Sequence, residues 1–160
     1  MSVPAEHDEA AAREGGERGR LLVVDDEQQL RVLFARSLSR AGYDVHVAKD
    51  GREALELVRQ QRFDLVISDV HMPGLTGWQL LRALREEDPK LPVALISGAF
   101  DELAPDLARE LGAFACLNKP VPFQELHRLA ELAVADRRAR TGLALVEPCE
   151  SSSEPDPRGR

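Results

Sequence analysis

The sequence predicts an α/β fold, a doubly wound parallel sheet of five strands with helices on both faces. Short apolar runs alternate five times with segments of helical periodicity between about residues 20 and 136. Strict alternation of this kind favours right-handed crossovers between parallel strands. The runs 21–24 and 93–96 are also continuously apolar, and so is the run 64–67 after its first residue, Asp64. Continuous runs are typical of strands covered by helices on both faces.

The five expected strands lie at about residues 21–25, 44–48, 64–69, 92–97 and 114–118. The second differs from the others because Val45 and Val47 are separated by His46. Alternation of apolar and polar side chains indicates that one face of a strand is partly in water. We therefore expect 44–48 to be an edge strand.

Helices are expected in the five segments between and after the strands, because apolar residues recur there at steps of three and four. The first should end before Gly42 and the fourth before Gly112, since glycine suits the end of a helix. Pro105 is expected in the first turn of the fourth helix, where a missing amide is tolerated. The residues that mark the five helices are Leu30, Leu33, Phe34, Leu38 and Ala41; Ala54, Leu55 and Val58; Trp78, Leu81 and Leu84; Leu103, Leu107 and Leu111; and Phe123, Leu126, Leu129 and Leu132.

One domain is expected over residues 20–136, between two disordered ends. Residues 1–19 are mostly Ala, Glu, Gly and Arg with almost nothing to bury, so they cannot offset the entropy cost of ordering. Residues 137–160 combine arginines, a short apolar patch at 143–146 and a stretch rich in Ser, Pro and Glu, which predicts a disordered tail. A tail this short and polar is not expected to form a second core.

Composition argues against several classes of function. The formal net charge of -7 opposes nonspecific binding to nucleic acid, whose phosphates attract basic surfaces. Cys116 and Cys149 are too few for a disulfide framework, which favours a reducing cytoplasm. No apolar run approaches the roughly 20 residues of a membrane helix, and the start lacks the apolar stretch of a signal peptide. We therefore expect a cytoplasmic protein without nucleic-acid or membrane partners.

Polar and charged side chains stand at the ends of the apolar runs. Asp25 and Asp26 follow the first, Asp69 ends the third, Ser97 ends the fourth, and Lys119 follows the fifth. Ligands of parallel α/β sheets bind in the crevice outside the carboxyl ends of the strands, so these residues are expected to converge there. Each residue alone would more commonly be a turn or helix-cap residue. Their conjunction predicts a site.

The expected site combines the groups needed to hold a divalent cation and a phosphoryl group. Adjacent Asp25 and Asp26 would repel each other unless a cation neutralises them, and Mg²⁺ prefers carboxylate and water oxygens. Asp69 could bind the same ion and also act as a nucleophile, as carboxylates do in aspartyl-phosphate enzymes. Ser97 can donate its hydroxyl to a phosphoryl oxygen, and Lys119 can place an ammonium on another.

Four segments resemble the receiver domain of bacterial two-component response regulators. They are Val-Val-Asp-Asp-Glu at 23–27, Asp-Val-His-Met-Pro-Gly-Leu-Thr-Gly at 69–77, Leu-Ile-Ser-Gly at 95–98 and Asn-Lys-Pro at 118–120. The resemblance covers about residues 20–136, and four motifs in order are far more specific than any single match. It implies a flavodoxin-like fold with strand order 2-1-3-4-5.

The resemblance also implies roles for individual residues. Asp69 would accept a phosphoryl group from a histidine kinase or a histidine phosphotransfer protein, while Asp25, Asp26, Asp69 and the backbone carbonyl of His71 would hold Mg²⁺. Ser97 and Lys119 correspond to the phosphate contacts of the family. The bond between Lys119 and Pro120 is often cis in such domains. The His71 side chain could be mistaken for a metal ligand, but a single loop histidine is expected to face solvent.

The sequence departs from the family pattern at Cys116. Family members usually carry Tyr or Phe three residues before the lysine, and that ring turns inward during activation. Phe114 could substitute in part, because alternation along a strand would place it on the same face as Cys116. A core position for Phe114 is the more ordinary interpretation. The departure puts the usual activation readout in question.

Three functions fit these features. The first is a single-domain response regulator that signals through a partner surface at about residues 101–136, the region that the resemblance implies. The second is a receiver-like scaffold that works without phosphorylation, which the intact acidic site and Lys119 argue against. The third is a metal-dependent phosphatase with Asp69 as the nucleophile. That class needs a second acid or base, for which His71 is the candidate.

Overall fold

The computed structural model of the protein describes residues 18–98 and 105–140, which contain five strands and five helices. The expected arm at 1–19 and tail at 137–160 lie almost entirely outside the described residues. In chain order the elements are β1 (Arg20–Val24), α1 (Gln28–Arg40), β2 (Asp44–Ala48), α2 (Gly51–Gln60), β3 (Leu65–Asp69), α3 (Gly77–Glu87), β4 (Val93–Ser97), α4 (Pro105–Leu111), β5 (Ala115–Asn118) and α5 (Phe123–Arg140).

All five strands are parallel and form one sheet in the order β2-β1-β3-β4-β5. The predicted fold class and strand order are therefore confirmed, and β2 is an edge strand as its alternating pattern indicated. The register pairs Val24 with Ser68 and Asp69 with Ile96. The last residue of β4, Ser97, pairs with Asn118 at the end of β5. The carboxyl ends of the four strands β1, β3, β4 and β5 consequently lie side by side.

Helices cover both faces of the sheet. On one face α1 and α5 bury Phe34, Leu38 and Leu126 against alternate residues of the strands. On the other face α2 and α3 bury Ala54, Leu80 and Leu84 against the remaining strand residues. Buried apolar area of this extent is the dominant favourable term in folding.

Side-chain caps fix where two of these helices begin. The Asp50 carboxylate accepts a hydrogen bond from the backbone amide of Glu53 at the start of α2. At the start of α3, Thr76 and Gln79 form a reciprocal capping box. Caps of this kind satisfy amides that have no partner within the helix. The α3 cap sets the position of the loop that follows the third strand.

The last helix is longer than the sequence suggested. It continues to Arg140, whereas the domain was expected to end at residue 136. The extra turn is explained by Arg137, which is 2% exposed and whose guanidinium forms two hydrogen bonds with Asp88. A tertiary contact therefore stabilises a segment that composition alone assigned to the tail. Within the described residues, no helix has the length and apolar content needed to cross a membrane.

Candidate phosphoacceptor site

The structure brings together the three aspartates that the sequence singled out. One carboxylate oxygen from each of Asp25, Asp26 and Asp69 lies within 4.8 Å of those of the other two. Asp69 is the last residue of β3, and the two adjacent aspartates follow β1, its neighbour in the sheet. Asp25 and Asp69 are buried, whereas Asp26 is exposed. The cluster is thus open to solvent on one side.

Lys119 supplies a positive charge at this cluster. Its Nζ lies 3.4 Å from Oδ2 of Asp69 and 3.8 Å from Oδ2 of Asp25. The backbone amide of Lys119 donates to the carbonyl of Ser97, which holds the start of the β5–α5 loop against the end of β4. The peptide bond from Lys119 to Pro120 is cis, in agreement with the expectation. The ammonium of Lys119 is therefore shared by the buried carboxylates of the cluster.

Backbone contacts hold Asp25 in position. The amide of Glu27 donates to Oδ1 of Asp25 at 2.9 Å, and Glu27 is the residue before α1. The guanidinium of Arg31 donates to the backbone carbonyl of Asp25 at 2.8 Å. Sequence reasoning did not find the role of Arg31. A basic residue one turn into the helix after the acidic pair is a weak signal, since such residues are common on solvated helix faces.

Gly77 allows the loop after β3 to pass close to Asp69. Its amide donates to the carbonyl of Val70 at 2.8 Å. A Cβ atom at this position would lie 2.5 Å from the Asp69 carbonyl oxygen and 2.7 Å from the Cα of Val70. Those distances exclude any side chain unless the backbone moves. Glycine is therefore required at position 77 because a side chain would not fit there, and not because the backbone adopts dihedral angles that favour glycine.

Burial changes the electrostatics of two carboxyl groups. It raises the pKa of Asp69 above the ordinary value, while the charge of Lys119 and its hydrogen bond act in the opposite direction. Burial likewise raises the pKa of Asp25, opposed by the Glu27 amide and Lys119 and reinforced by the charges of Asp69 and Asp26. The site therefore holds buried negative charge that Lys119 only partly offsets.

Other predicted site residues are placed as follows. Ser97 is fully buried at the end of β4, one strand away from Asp69. The His71 side chain is exposed, as expected, and its backbone forms a hydrogen bond that acts to lower the pKa of Asp69. The part assigned to its backbone carbonyl in holding Mg²⁺ stays a prediction. Residues 101–104 of the expected partner surface lie outside the described residues.

The suggestion that Phe114 shares a face with Cys116 is wrong. Cys116 packs against the core on the α2 and α3 side of the sheet, whereas Phe114 packs against the core on the α1 and α5 side. Alternation fails here because β5 begins only at Ala115, so Phe114 lies just before the regular strand. Burial raises the pKa of the half-buried Cys116 thiol. Phe114 is thus a partly buried residue packed against the α1 and α5 core and not a substitute for a ring at position 116.

The donor set fits a hard divalent cation. Oxygens of the three carboxylates are close enough to bind a single ion, since they lie within 4.8 Å of one another. Two of the three carboxylates are buried. Mg²⁺ favours one or two carboxylates together with water and phosphate oxygens. The exposed side of Asp26 leaves room for such additional ligands. The residues present therefore match the magnesium that the sequence led us to expect.

Comparison with known proteins agrees with this geometry. A family model described as the response regulator receiver domain matches residues 21–131. The chain is 42% identical to response regulator MprA of Mycolicibacterium vanbaalenii over 120 residues, which cover 74% of this chain and 51% of that protein.

Solved structures give the same result. A response regulator receiver domain protein from Clostridium thermocellum superposes with a TM-score of 0.72 at 30% identity, covering 76% of this chain and 98% of that one. Chemotaxis protein CheY4 of Vibrio cholerae gives a TM-score of 0.68 at 32% identity, covering 71% and 97%.

The fold and the acidic site thus define a signalling domain of the two-component class. The chain belongs to the response regulator receiver family. Members of this family typically bind Mg²⁺ at an acidic pocket, which corresponds here to Asp25, Asp26 and Asp69. They interact with histidine kinases and with downstream effectors. The chain spans about half the length of MprA.

Proposed function

We propose that the domain accepts a phosphoryl group on Asp69 from a phosphohistidine of a kinase or phosphotransfer protein, and signals by binding another protein. The observation that carries this proposal is the position of the Asp69 carboxylate. It is 6% exposed at the end of a central strand, 3.4 Å from the Lys119 ammonium and beside two further carboxylates. A structural aspartate would gain nothing from two like charges at its side.

The proposed step is an in-line displacement at phosphorus. An oxygen of Asp69 attacks the phosphorus atom, and a new O–P bond gives an acyl phosphate. The P–N bond to the donor histidine breaks, its electron pair stays on the imidazole nitrogen, and that nitrogen takes up a proton from water. Such transfers rely on positioning and on charge stabilisation rather than on additional covalent chemistry.

The residues around Asp69 supply that positioning. Lys119, now paired with Asp69, would move its ammonium to a phosphoryl oxygen, and Ser97 would donate its hydroxyl to another. Asp25 and Asp26, with the backbone carbonyl of His71, would hold Mg²⁺, which supplies the positive charge that offsets the phosphoryl oxygens. Arg31 and the Glu27 amide keep Asp25 oriented for this purpose.

The output surface is proposed at residues 101–136, of which 105–136 are described. Three large apolar side chains are exposed there: Leu107 in α4, at 40%, and Phe123 and Leu132 in α5, at 49% and 53%. Exposed apolar side chains of this size are available for contact with a protein partner. The charge of the whole chain, -7, does not favour nucleic acid as the direct partner. A single-domain, cytoplasmic regulator stays a prediction.

Phosphorylation by a small donor tests the assignment of Asp69. Incubation of the full chain with Mg²⁺ and acetyl phosphate should add the mass of one phosphoryl group, located on Asp69 by peptide mapping. Asp69→Asn should abolish the addition, because the amide nitrogen and oxygen are poor nucleophiles. Glu86→Gln, which removes an exposed carboxylate from α3, is the matched control and should label normally.

The same experiment separates the alternative functions. Phosphate on His71 or on the serines at 151–153 would contradict the assignment of Asp69. A chain that takes up no phosphate with either acetyl phosphate or a phosphorylated kinase would be the scaffold. Continuous release of phosphate from small esters would identify the phosphatase. Omission of Mg²⁺, and separately Asp26→Asn, should each strongly slow the labelling if the metal site is correct.

A further inference from the structure

A cavity of about 330 Å³ lies at the opposite end of the sheet from the acidic site. Its apolar part is formed by Leu91 and Pro92, which lead into β4, and by Ala113 and Phe114, which lead into β5. Ser97 is at the other end of β4, and a strand of this length separates the two ends by roughly 17 Å. The cavity is therefore distinct from the phosphoacceptor site.

Charged residues gather around this cavity, and we call them the basal cluster. Both carboxylate oxygens of Asp88 accept hydrogen bonds from Arg137, Oδ1 from Nη1 at 3.0 Å and Oδ2 from Nη2 at 2.6 Å. The carboxylate of Asp136 accepts from Nε of Arg140 at 2.7 Å. The members of the basal cluster are Arg85, Asp88, Lys90, Asp136, Arg137 and Arg140. Four cations thus face two carboxylates, in a chain whose net charge is -7.

The two remaining cations donate to carbonyl oxygens. Nζ of Lys90 donates to the backbone carbonyl of Arg140 at 3.2 Å, at the end of α5. Nη1 of Arg85 donates to the backbone carbonyl of Pro89 at 2.9 Å. Each cation lines the cavity. Within residues 18–98 and 105–140, neither donates a hydrogen bond to a carboxylate.

Arg85 has unused hydrogen-bonding capacity. Its Nε and Nη2 atoms are buried and have no hydrogen-bond partner among the described residues. The side chain packs over Gly112, where an added Cβ would lie 3.2 Å from Cδ of Arg85. A buried donor without an acceptor costs free energy. An anion entering the cavity would accept hydrogen bonds from these donors and relieve that cost.

We propose that the cavity is a binding site for an oxyanion, a carboxylate or phosphate group, held by Arg85 and Lys90 with Arg140 at its rim. A guanidinium presents donors in a fork that matches either group. The apolar residues Leu91 and Phe114 would contact the remainder of the ligand. A volume of about 330 Å³ is within the usual range for small-ligand sites.

Two sources could supply this oxyanion. One is a free small molecule that carries a phosphate or carboxylate. The other is the chain itself, because residues 141–160 continue from Arg140 at the rim and include Glu147, Glu150, Glu154 and Asp156. The chemistry of recognition is the same in both cases. Substitution of these four acidic residues distinguishes the two sources.

The first measurement is a titration of the full chain with inorganic phosphate, followed by NMR. Mg²⁺ is omitted and ionic strength is held constant with sodium chloride. Saturable shifts are expected for the amides of Leu91, Ala113 and Phe114. Lys90→Ala should weaken this binding about tenfold, because it removes one charged hydrogen bond. Lys49→Ala, an exposed lysine at the other end of the sheet, should bind as the wild type does.

A second variant addresses Arg85 directly. Arg85→Met keeps an aliphatic stem over Gly112 and removes the guanidinium, so saturable phosphate binding should be lost. Lys90 is exposed, and Lys90→Ala therefore tests the site even where Arg85→Met does not fold.

Neutralising the acidic residues after Arg140 identifies the source. If a free anion is the ligand, a chain with Glu147→Gln, Glu150→Gln, Glu154→Gln and Asp156→Asn should bind phosphate as the wild type does. If one of these carboxylates fills the cavity, the wild type should respond weakly and the substituted chain should bind phosphate. Absence of binding in both chains, or binding that is unchanged by Lys90→Ala, would overturn the proposal.

Discussion

The two ends of the sheet carry opposite imbalances of charge. The acidic site, formed by Asp25, Asp26, Asp69 and Lys119, has three carboxylates for one ammonium. The basal cluster has four cations for two carboxylates, and its pair Arg137 with Asp88 is matched in charge and joined by two hydrogen bonds. Removing one partner of a matched buried pair leaves an uncompensated charge, whereas an unmatched group is already uncompensated in the protein alone. The difference indicates that the acidic end is arranged for chemistry and the Arg137–Asp88 pair for stability.

The largest effect is expected where a matched pair is broken. Asp88→Ala should lower the free energy of unfolding by about 3 kcal/mol, because it leaves the buried guanidinium of Arg137 without its counter-charge. Urea denaturation measures the change. Asp106→Ala, which breaks the exposed pair with Arg109, should change stability by less than about 0.5 kcal/mol. Equal losses in the two variants would show that the buried pair is not the stabilising contact.

A tight backbone contact at the acidic end should give the next largest effect. Gly77→Ala should cost about 2 kcal/mol of unfolding free energy, since its Cβ would overlap the Asp69 carbonyl. Uptake of phosphate from acetyl phosphate should also slow, as the Asp69 backbone must shift. Gly98→Ala is the control for stability, because nothing lies within 4 Å of an added Cβ there. A fully stable Gly77→Ala protein would contradict the close approach of the two backbones.

Removing an unmatched carboxylate should stabilise the protein, whereas the two substitutions above should destabilise it. The raised pKa of Asp25 means that its ionised form opposes folding at neutral pH. Asp25→Asn should therefore raise the Tm measured without Mg²⁺, by about 2–4 °C. Mg²⁺ should stabilise the wild type and have little effect on the variant, because ligand binding stabilises only a fold that binds it. A lowered Tm without Mg²⁺ would show that Asp25 is structural.

The smallest effect concerns acid stability at the basal end. Burial acts to raise the pKa of Asp88, but the hydrogen bonds and charge of Arg137 outweigh it, and the net pKa lies below the ordinary value. A carboxyl with a lowered pKa contributes stability that is present above its unfolded pKa, about 3.9, and is lost as pH falls through the folded pKa. Asp88→Asn should therefore flatten the decline of stability below about pH 4. Urea denaturation at a series of pH values measures the decline, and a decline unchanged in the variant would contradict the role assigned to Asp88.

Most of the acidic site could be predicted because its signal is local. Each residue stands at the end of an apolar run, and parallel strands in register place those ends side by side. Asp25, Asp26, Asp69 and Lys119 were found in this way, and the structure brings them within a few ångströms of each other. Arg31 was missed because its contact is with a backbone carbonyl, which no side-chain pattern reveals.

The sequence by itself determined the alternation of elements, the edge position of β2 and the residues that end the strands, since all of these follow from short-range periodicity. Only the tertiary structure decided how far α5 extends, because that depends on Arg137 meeting Asp88, which is 49 residues away in the chain. It also decided the face on which Phe114 packs and the need for glycine at 77. These features arise where separate helices, strands and loops come into contact. The spacing of residues along one element does not specify which atoms of another element it will meet, or at what distance.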